Sequence, residues 1–175
     1  QGRETMNDSH SLSIAVCALN SATGYSGGRY HAWMMAEALA SSGHQVTVWT
    51  NNVPVFESDF VAAPGHQRLD LQISARFLRL PRGPFDVIVL VPHQGDVYGF
   101  YDKVLYLAQR EHARLLLLNF ESANWFNALS PVPRDPAGWS GWLKASGAAD
   151  MILSSAAEST RYAEEFYTNA PSGVL

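Results

Sequence analysis

Apolar positions along the chain fall into short runs that alternate with helical stripes. Residues 12–19 (Leu-Ser-Ile-Ala-Val-Cys-Ala-Leu) are almost continuously apolar and end at Asn20. A run of that length, bounded by turn residues, suits a strand buried on both faces. Residues 20–28 are small and turn-forming, with Gly24, Gly27 and Gly28, and predict a loop. Over residues 29–42, Ala32, Met35, Ala36, Leu39 and Ala40 fall at i, i+3, i+4, i+7 and i+8, the single apolar stripe of a helix. Gly43 supplies the helix stop. Residues 45–50 (Gln-Val-Thr-Val-Trp-Thr) are β-branched and aromatic and predict a second strand. Residues 12–50 therefore read as a βαβ unit with parallel strands and a right-handed crossover.

The alternation continues to the end of the chain. Residues 51–71 are irregular around Pro54 and Pro64. Strands are predicted over 76–80, 85–91, 114–118 and 150–153, and helices over 97–112, 138–146 and 156–167. A long loop covers 119–136, Ser154 or Ser155 caps the last helix, and residues 168–175 read as the start of a connection. The expected fold class is α/β: a Rossmann-like, doubly wound, mostly parallel sheet with helices on both faces. The chain has 175 residues, and residues 11–175 are expected to form one domain. Residues 1–10 stay outside it, Gln1-Gly2 reading as the remnant of a cleaved tag and Met6 as the native start.

Composition narrows the function classes. Charged residues make up 16% of the chain, against about 25% in an ordinary globular protein. With Lys+Arg 12 and Asp+Glu 16 the net charge is -4, which argues against a nucleic-acid binder driven by phosphate attraction. The single cysteine, Cys17, excludes an internal disulfide and suits a reducing or indifferent compartment. No apolar run reaches the length of a membrane span and no secretory leader is recognisable, so the expected location is cytoplasmic, with peripheral contact at the inner face of the membrane left open as a partner.

In open parallel sheets, ligands bind outside the carboxyl ends of the strands. The residues that follow each strand are therefore the candidates: 20–28, 51–56, 92–96 and 119–125. Gly27 and Gly28 open a helix whose free N–H groups and dipole favour an anion. Binding of a phosphate or carboxylate there and a plain tight turn both fit. The dinucleotide pattern G-x-G-x-x-G is absent. Thr50-Asn51-Asn52 stand where an acidic ribose partner would be, which argues against a nicotinamide enzyme. Ser21-Ala22-Thr23-Gly24-Tyr25-Ser26 is similar to the phosphate loop of flavodoxins, so an FMN-binding protein of that type is the alternative. A non-catalytic interaction domain on the same fold is a third reading.

A longer similarity runs through the chain. Gly27-Gly28-Arg29-Tyr30-His31, with Met35-Ala36-Glu37-Ala38-Leu39-Ala40-Ser41-Ser42-Gly43-His44-Gln45-Val46-Thr47-Val48, resembles the opening of the retaining, glycogen-synthase-like GT-B glycosyltransferases. Phe85-Asp86-Val87-Ile88 with His93 after it resembles a later strand of that family. Ala149-Asp150-Met151-Ile152-Leu153-Ser154-Ser155 with Glu158 and Arg161 resembles another. The resemblance implies two Rossmann-like domains facing across a cleft, the N-terminal one receiving the acceptor and the C-terminal one holding the nucleotide sugar. This chain matches the N-terminal, acceptor-side half. The partners implied are a nucleotide sugar, bound through the other half, and a sugar, lipid or small-molecule acceptor. No cofactor and no metal is expected.

On that resemblance, Gly27, Gly28 and Arg29 lie against a phosphate or acceptor, and His93 is the catalytic candidate, a neutral imidazole that orients or accepts from a sugar hydroxyl. A plain loop histidine fits His93 equally. Asn51 and Glu121 are placed to hydrogen-bond hydroxyls, with a turn asparagine and a solvated carboxylate as the alternatives. His31 departs from the family pattern by one position and is expected to pack at the helix start, while His44 is expected to be structural. Phe120, Trp125, Phe126, Trp139 and Trp142 fit an acceptor platform, a contact with the other domain or a membrane surface, or ordinary core.

Overall fold

A computed structural model describes residues 11–21, 24, 26–57, 65–93, 95–120, 136–160 and 171–175, and for 136–139 the backbone alone. Seven strands form: β1 (Ser13–Ala18), β2 (Gln45–Thr50), β3 (Leu69–Ile73), β4 (Val87–Val91), β5 (Arg114–Asn119), β6 (Met151–Ser154) and β7 (Ser172–Val174). They make one sheet in the order β3-β2-β1-β4-β5-β6-β7, and every pairing is parallel. Among the described residues, three helices of ten residues or more cross it: α1 (Gly27–Ser41), α2 (Phe100–Glu111) and α3 (Pro136–Ala148).

The near-continuous apolar runs exist because both faces of the central strands are covered. Alternate residues of β1 point opposite ways. Ile14, Val16 and Ala18 meet α1 through Ala32, Trp33, Ala36 and Ala40. Ala15 and Cys17 belong to the other face, with Phe100, Val104 and Leu107 of α2 and Trp142 and Ala145 of α3. Burying such side chains contributes roughly 1.5–3 kcal/mol each. Cys17 is wholly buried, and burial pushes its thiol up, out of reach of nucleophilic chemistry. Glu37 of α1 is also buried; its Oε1 accepts from the Trp33 indole and faces Nδ1 of His66.

Two carboxylates pin the amino edge of the sheet. Asp86 Oδ2 accepts from the Ser13 N–H at 2.8 Å, and the Asp86 N–H donates to the Ser13 carbonyl. Asp150 repeats the exchange with Leu115, again at 2.8 Å, and adds a bond from Arg114. Each aspartate satisfies the N–H at the start of a neighbouring strand, which gives Phe85-Asp86-Val87 and Ala149-Asp150-Met151 a structural meaning. His44 lies at the same edge, where Nδ1 accepts from the Leu12 N–H.

The predicted α/β class and doubly wound sheet are present, with several corrections. Residues 76–80 do not form a strand. The third strand is Leu69–Ile73, whose Leu-Asp-Leu-Gln-Ile alternation lay inside the stretch read as irregular. Arg76 and Phe77 have φ of 53 and 52 degrees, a left-handed turn that costs roughly 1–2 kcal/mol per residue. Burial of the Phe77 ring against Trp49 and Phe100, at centroid distances of 4.7 and 4.9 Å, offsets it. The helix expected over 97–112 starts at Phe100, because Tyr98 and Gly99 have φ of 60 and 63 degrees. The helix expected from residue 29 starts at Gly27, and that expected from 138 starts at Pro136. Residues 168–175, read as a connection, include the edge strand β7, which pairs with β6. Residues 1–10 and most of the helix predicted over 156–167 lie outside the described residues.

Candidate functional site at the carboxyl edge

The described residues that follow β1, β2, β4 and β5 lie with the start of α1 at the carboxyl edge of the sheet. Four polar residues knot the first two. Asn51 Oδ1 accepts from the Asn20 N–H at 2.7 Å, and Asn51 Nδ2 donates to the Asn20 carbonyl at 2.9 Å. Asn52 donates to the same carbonyl, and Asn20 Nδ2 donates to the Thr50 hydroxyl. Asn51 was expected to meet a ligand hydroxyl. Its amide is instead engaged with the Asn20 backbone and buried, so it positions the β1 loop.

The start of α1 is built against its own stability. Ser26 is the N-cap residue without a side-chain capping bond, and no acidic residue stands in the first turn. Gly27 and Gly28, poor helix formers, follow it. Arg29 then sets a cation at the positive end of the helix, where the macrodipole disfavours it. The first bond of the helix runs from the Tyr30 N–H to the Ser26 carbonyl at 3.0 Å, so the N–H groups of Gly27, Gly28 and Arg29 precede the helical ladder. The Arg29 guanidinium is partly sunk, and its Nε is buried with no hydrogen-bond partner among the described residues. Burial pulls its pKa down, with Tyr101 close enough to couple to it.

The two glycines differ. A Cβ on Gly27 would meet nothing within 4 Å, whereas one on Gly28 would lie 3.0 Å from the Phe120 ring. Phe120 thus crowds the position of a Cβ on Gly28, and open space stands over Gly27. Phe120 also stacks on His31, with centroids 6.0 Å apart and ring planes at 27 degrees. His31 is exposed and held by that stack, rather than packed under the helix start as expected.

His93 follows β4 at the same edge and is half-buried. Its backbone is clamped by Tyr101 of α2. The His93 N–H donates to the Tyr101 hydroxyl at 2.8 Å, and that hydroxyl donates to the His93 carbonyl at 2.6 Å. Burial pushes the Tyr101 phenol up to about 12, so it remains a donor at neutral pH. Tyr101 therefore holds the His93 loop by hydrogen bonds, as a neutral phenol. Sequence reasoning missed it, because Tyr101 sits among Phe100, Val104 and Leu107 and looks like one more core aromatic.

The structure thus brings Gly27, Gly28, Arg29 and His93 to one edge with Phe120 and Tyr101. Glu121, Trp125 and Phe126 lie outside the described residues, as does the side chain of Trp139. Trp142 is core, 1% exposed. His44 stands at the opposite edge. Among the described residues no cluster of His, Cys, Asp and Glu could hold a metal ion, and no helix is long and apolar enough to cross a membrane.

The strand order is that of the Rossmann sheet continued by one strand, and it departs from the 2-1-3-4-5 order of flavodoxin-like sheets. Comparison with known proteins adds little to this. No protein-family model matches the chain, and no curated protein matches its sequence. Among solved structures it is similar to the reductase domain of the aureusimine biosynthetic cluster, at 15% identity and a TM-score of 0.37. That alignment spans 63% of this chain and 33% of the other, about a third of its length.

Proposed function

We propose that this domain is the acceptor-side half of a GT-B-type glycosyltransferase, which transfers a sugar from a nucleotide sugar to an acceptor hydroxyl. The observation that carries the reading is Arg29. A guanidinium at the positive end of a helix, with Nε buried and without a hydrogen-bond partner among the described residues, is a local conflict that an anionic oxygen would resolve. Such conflicts in an otherwise consistent fold belong to functional sites. The N–H groups of Gly27 and Gly28, which precede the helical ladder, and the open space over Gly27 add to the anion site. A phosphate of the donor or an anionic acceptor fits that chemistry. The motif resemblance, spread in order from β1 to β6, supplies the reaction class.

In this reading His93 orients or accepts from the acceptor hydroxyl, and Tyr101 positions the His93 loop. The test is transfer from a panel of nucleotide sugars by the full-length protein, with His93→Ala and His44→Ala side by side. His93→Ala should lower turnover by roughly 10²-fold at unchanged melting temperature. His44→Ala, at the amino edge, should leave turnover nearly intact. Equal losses at equal stability would contradict the placement of the site. Sugar transfer by the 175-residue chain alone would contradict the assignment to one half of a two-domain enzyme.

A further inference from the structure

Glu37 is a carboxylate within α1, its side chain only 7% exposed. Its Oε1 accepts from the Trp33 indole at 3.2 Å and faces His66 Nδ1 at 3.3 Å. The other ring nitrogen of His66, Nε2, faces Glu57 Oε1 at 3.3 Å. One imidazole therefore stands between two carboxylates from different parts of the chain, one on α1 and one after β2. Glu37 Oε2 is buried with no hydrogen-bond partner among the described residues. A close approach brings His66 in: Gly65 before it is buried, and a Cβ there would run into the Glu37 carbonyl.

A carboxylate this deep needs a cation or a proton beside it. Lysine or arginine would supply a fixed charge, whereas histidine supplies one that comes and goes near neutral pH. Only the imidazolium carries an N–H on both nitrogens, so only it can donate to both carboxylates. The neutral ring serves one and turns a lone pair to the other. Burial pushes the Glu37 carboxyl up, and the charge and hydrogen bond of His66, then the Trp33 indole, oppose that. The elements packed here carry four other charged or titratable groups. Arg68 is exposed with no ion pair among the described residues, and Asp70 of β3 accepts from Gln72. His31 stacks on Phe120, and Arg29 lies about two turns earlier in α1.

The cluster is joined to the start of α1. Glu57 follows Phe56, whose buried ring meets Tyr30 and Trp33 edge to face at centroid distances of 5.5 and 6.0 Å. Tyr30 in turn makes the first hydrogen bond of the helix. We propose that His66 is a pH-operated clasp between α1 and the residues after β2. As the imidazolium it ties Glu57 to Glu37 and seats Phe56 on Tyr30 and Trp33. On losing its proton it keeps the buried Glu37 through Nδ1–H and releases Glu57, and Phe56 loosens at the helix start. The clasp's contribution to stability is present while His66 is charged and both carboxylates are ionised, and is lost as pH rises through the titration of the cluster. This proposal stands on the cluster and not on the sugar-transfer reading, and the failure of either leaves the other standing.

The experiment is a titration of the 15N-labelled 175-residue chain between about pH 5 and pH 8, the range in which histidine changes charge. Three signals are followed: the His66 ring nitrogens, the Trp33 indole N–H and the Phe56 amide. They should move together with one midpoint. Glu57→Gln, a change at a partly exposed side chain, should move the Trp33 midpoint to lower pH and remove the Phe56 response, because an amide can bond either form of the ring. His66→Gln should abolish both responses. His31→Gln, which removes the other imidazole near Tyr30, should leave both in place. A Trp33 response that survives His66→Gln or disappears in His31→Gln would overturn the proposal. Should His66→Gln not fold, Glu57→Gln decides alone: Trp33 and Phe56 responses unchanged from the parent would overturn the clasp.

Discussion

Arg29 is the residue at which stability and function separate. A lone, partly buried cation at a helix N-terminus costs about 0.3–1 kcal/mol through the dipole, and its desolvation adds to that. Arg29→Met keeps the stem and removes the charge. Its melting temperature should equal or exceed that of the parent, while its response to phosphate or diphosphate is lost. The glycines before it make a matched pair. Gly28→Val must displace Phe120 and should cost about 1–3 kcal/mol as overpacking, seen in chemical denaturation. Gly27→Ala meets open space and should stabilise the helix start by about 0.5–1 kcal/mol. Tyr101→Phe removes the hydroxyl that both accepts from and donates to the His93 backbone. Leaving that backbone pair without its partner should cost about 1–3 kcal/mol and lower His93-dependent turnover further.

At the scale of elements, the amino edge carries the pH dependence. The Leu115 N–H, and after it Arg114, hold the Asp150 carboxyl below the usual carboxylate range. The unfolded chain therefore binds this proton more readily than the folded one. Its contribution to stability is complete above the ordinary value near 4 and is lost as pH falls through the lowered one. Asp150→Asn should flatten that part of the acid limb in urea melts between pH 5 and pH 2 and leave the neutral limb parallel to the parent. The elements themselves were legible wherever one period dominated. The runs of β1, β2, β4 and β5 and the stripe of α1 predict those elements nearly to the residue. Leu69–Ile73 was missed because an edge strand with Asp70 and Gln72 on it carries little apolar signal. Residues 76–80 were misread because Arg-Phe-Leu-Arg-Leu alternates like a strand, whereas tertiary packing of Phe77 forces a turn.

For the whole molecule, one sheet separates two apolar layers and two edges with different duties. Leu117, fully buried against α2 and α3, belongs to the framework, and Leu117→Ala should cost about 2–5 kcal/mol without a selective effect on ligand binding. The amino edge holds Asp86, Asp150 and His44 as clamps on strand starts. The carboxyl edge collects Arg29, His93, Tyr101 and Phe120. Topology makes that division readable from the sequence, since residues after parallel strands must share one edge. The clamp of Tyr101 on the His93 backbone was not readable, because Tyr101 looks like one more core aromatic of α2. Asn51 looked like a ligand residue because its Asn20 partner is 31 residues away in sequence, at the end of the neighbouring strand.

The central claim is that the start of α1 is an anion site turned toward a ligand. Titration of the 15N-labelled chain with inorganic diphosphate, followed by amide chemical shifts, tests it most directly. The account predicts saturating shifts at Gly27, Gly28 and Arg29, smaller ones around His93, none at Leu12, Ser13 or Leu115 of the amino edge, and loss of the response in Arg29→Met. Saturating shifts at the amino edge alone, or a response that survives unchanged in Arg29→Met, would contradict it.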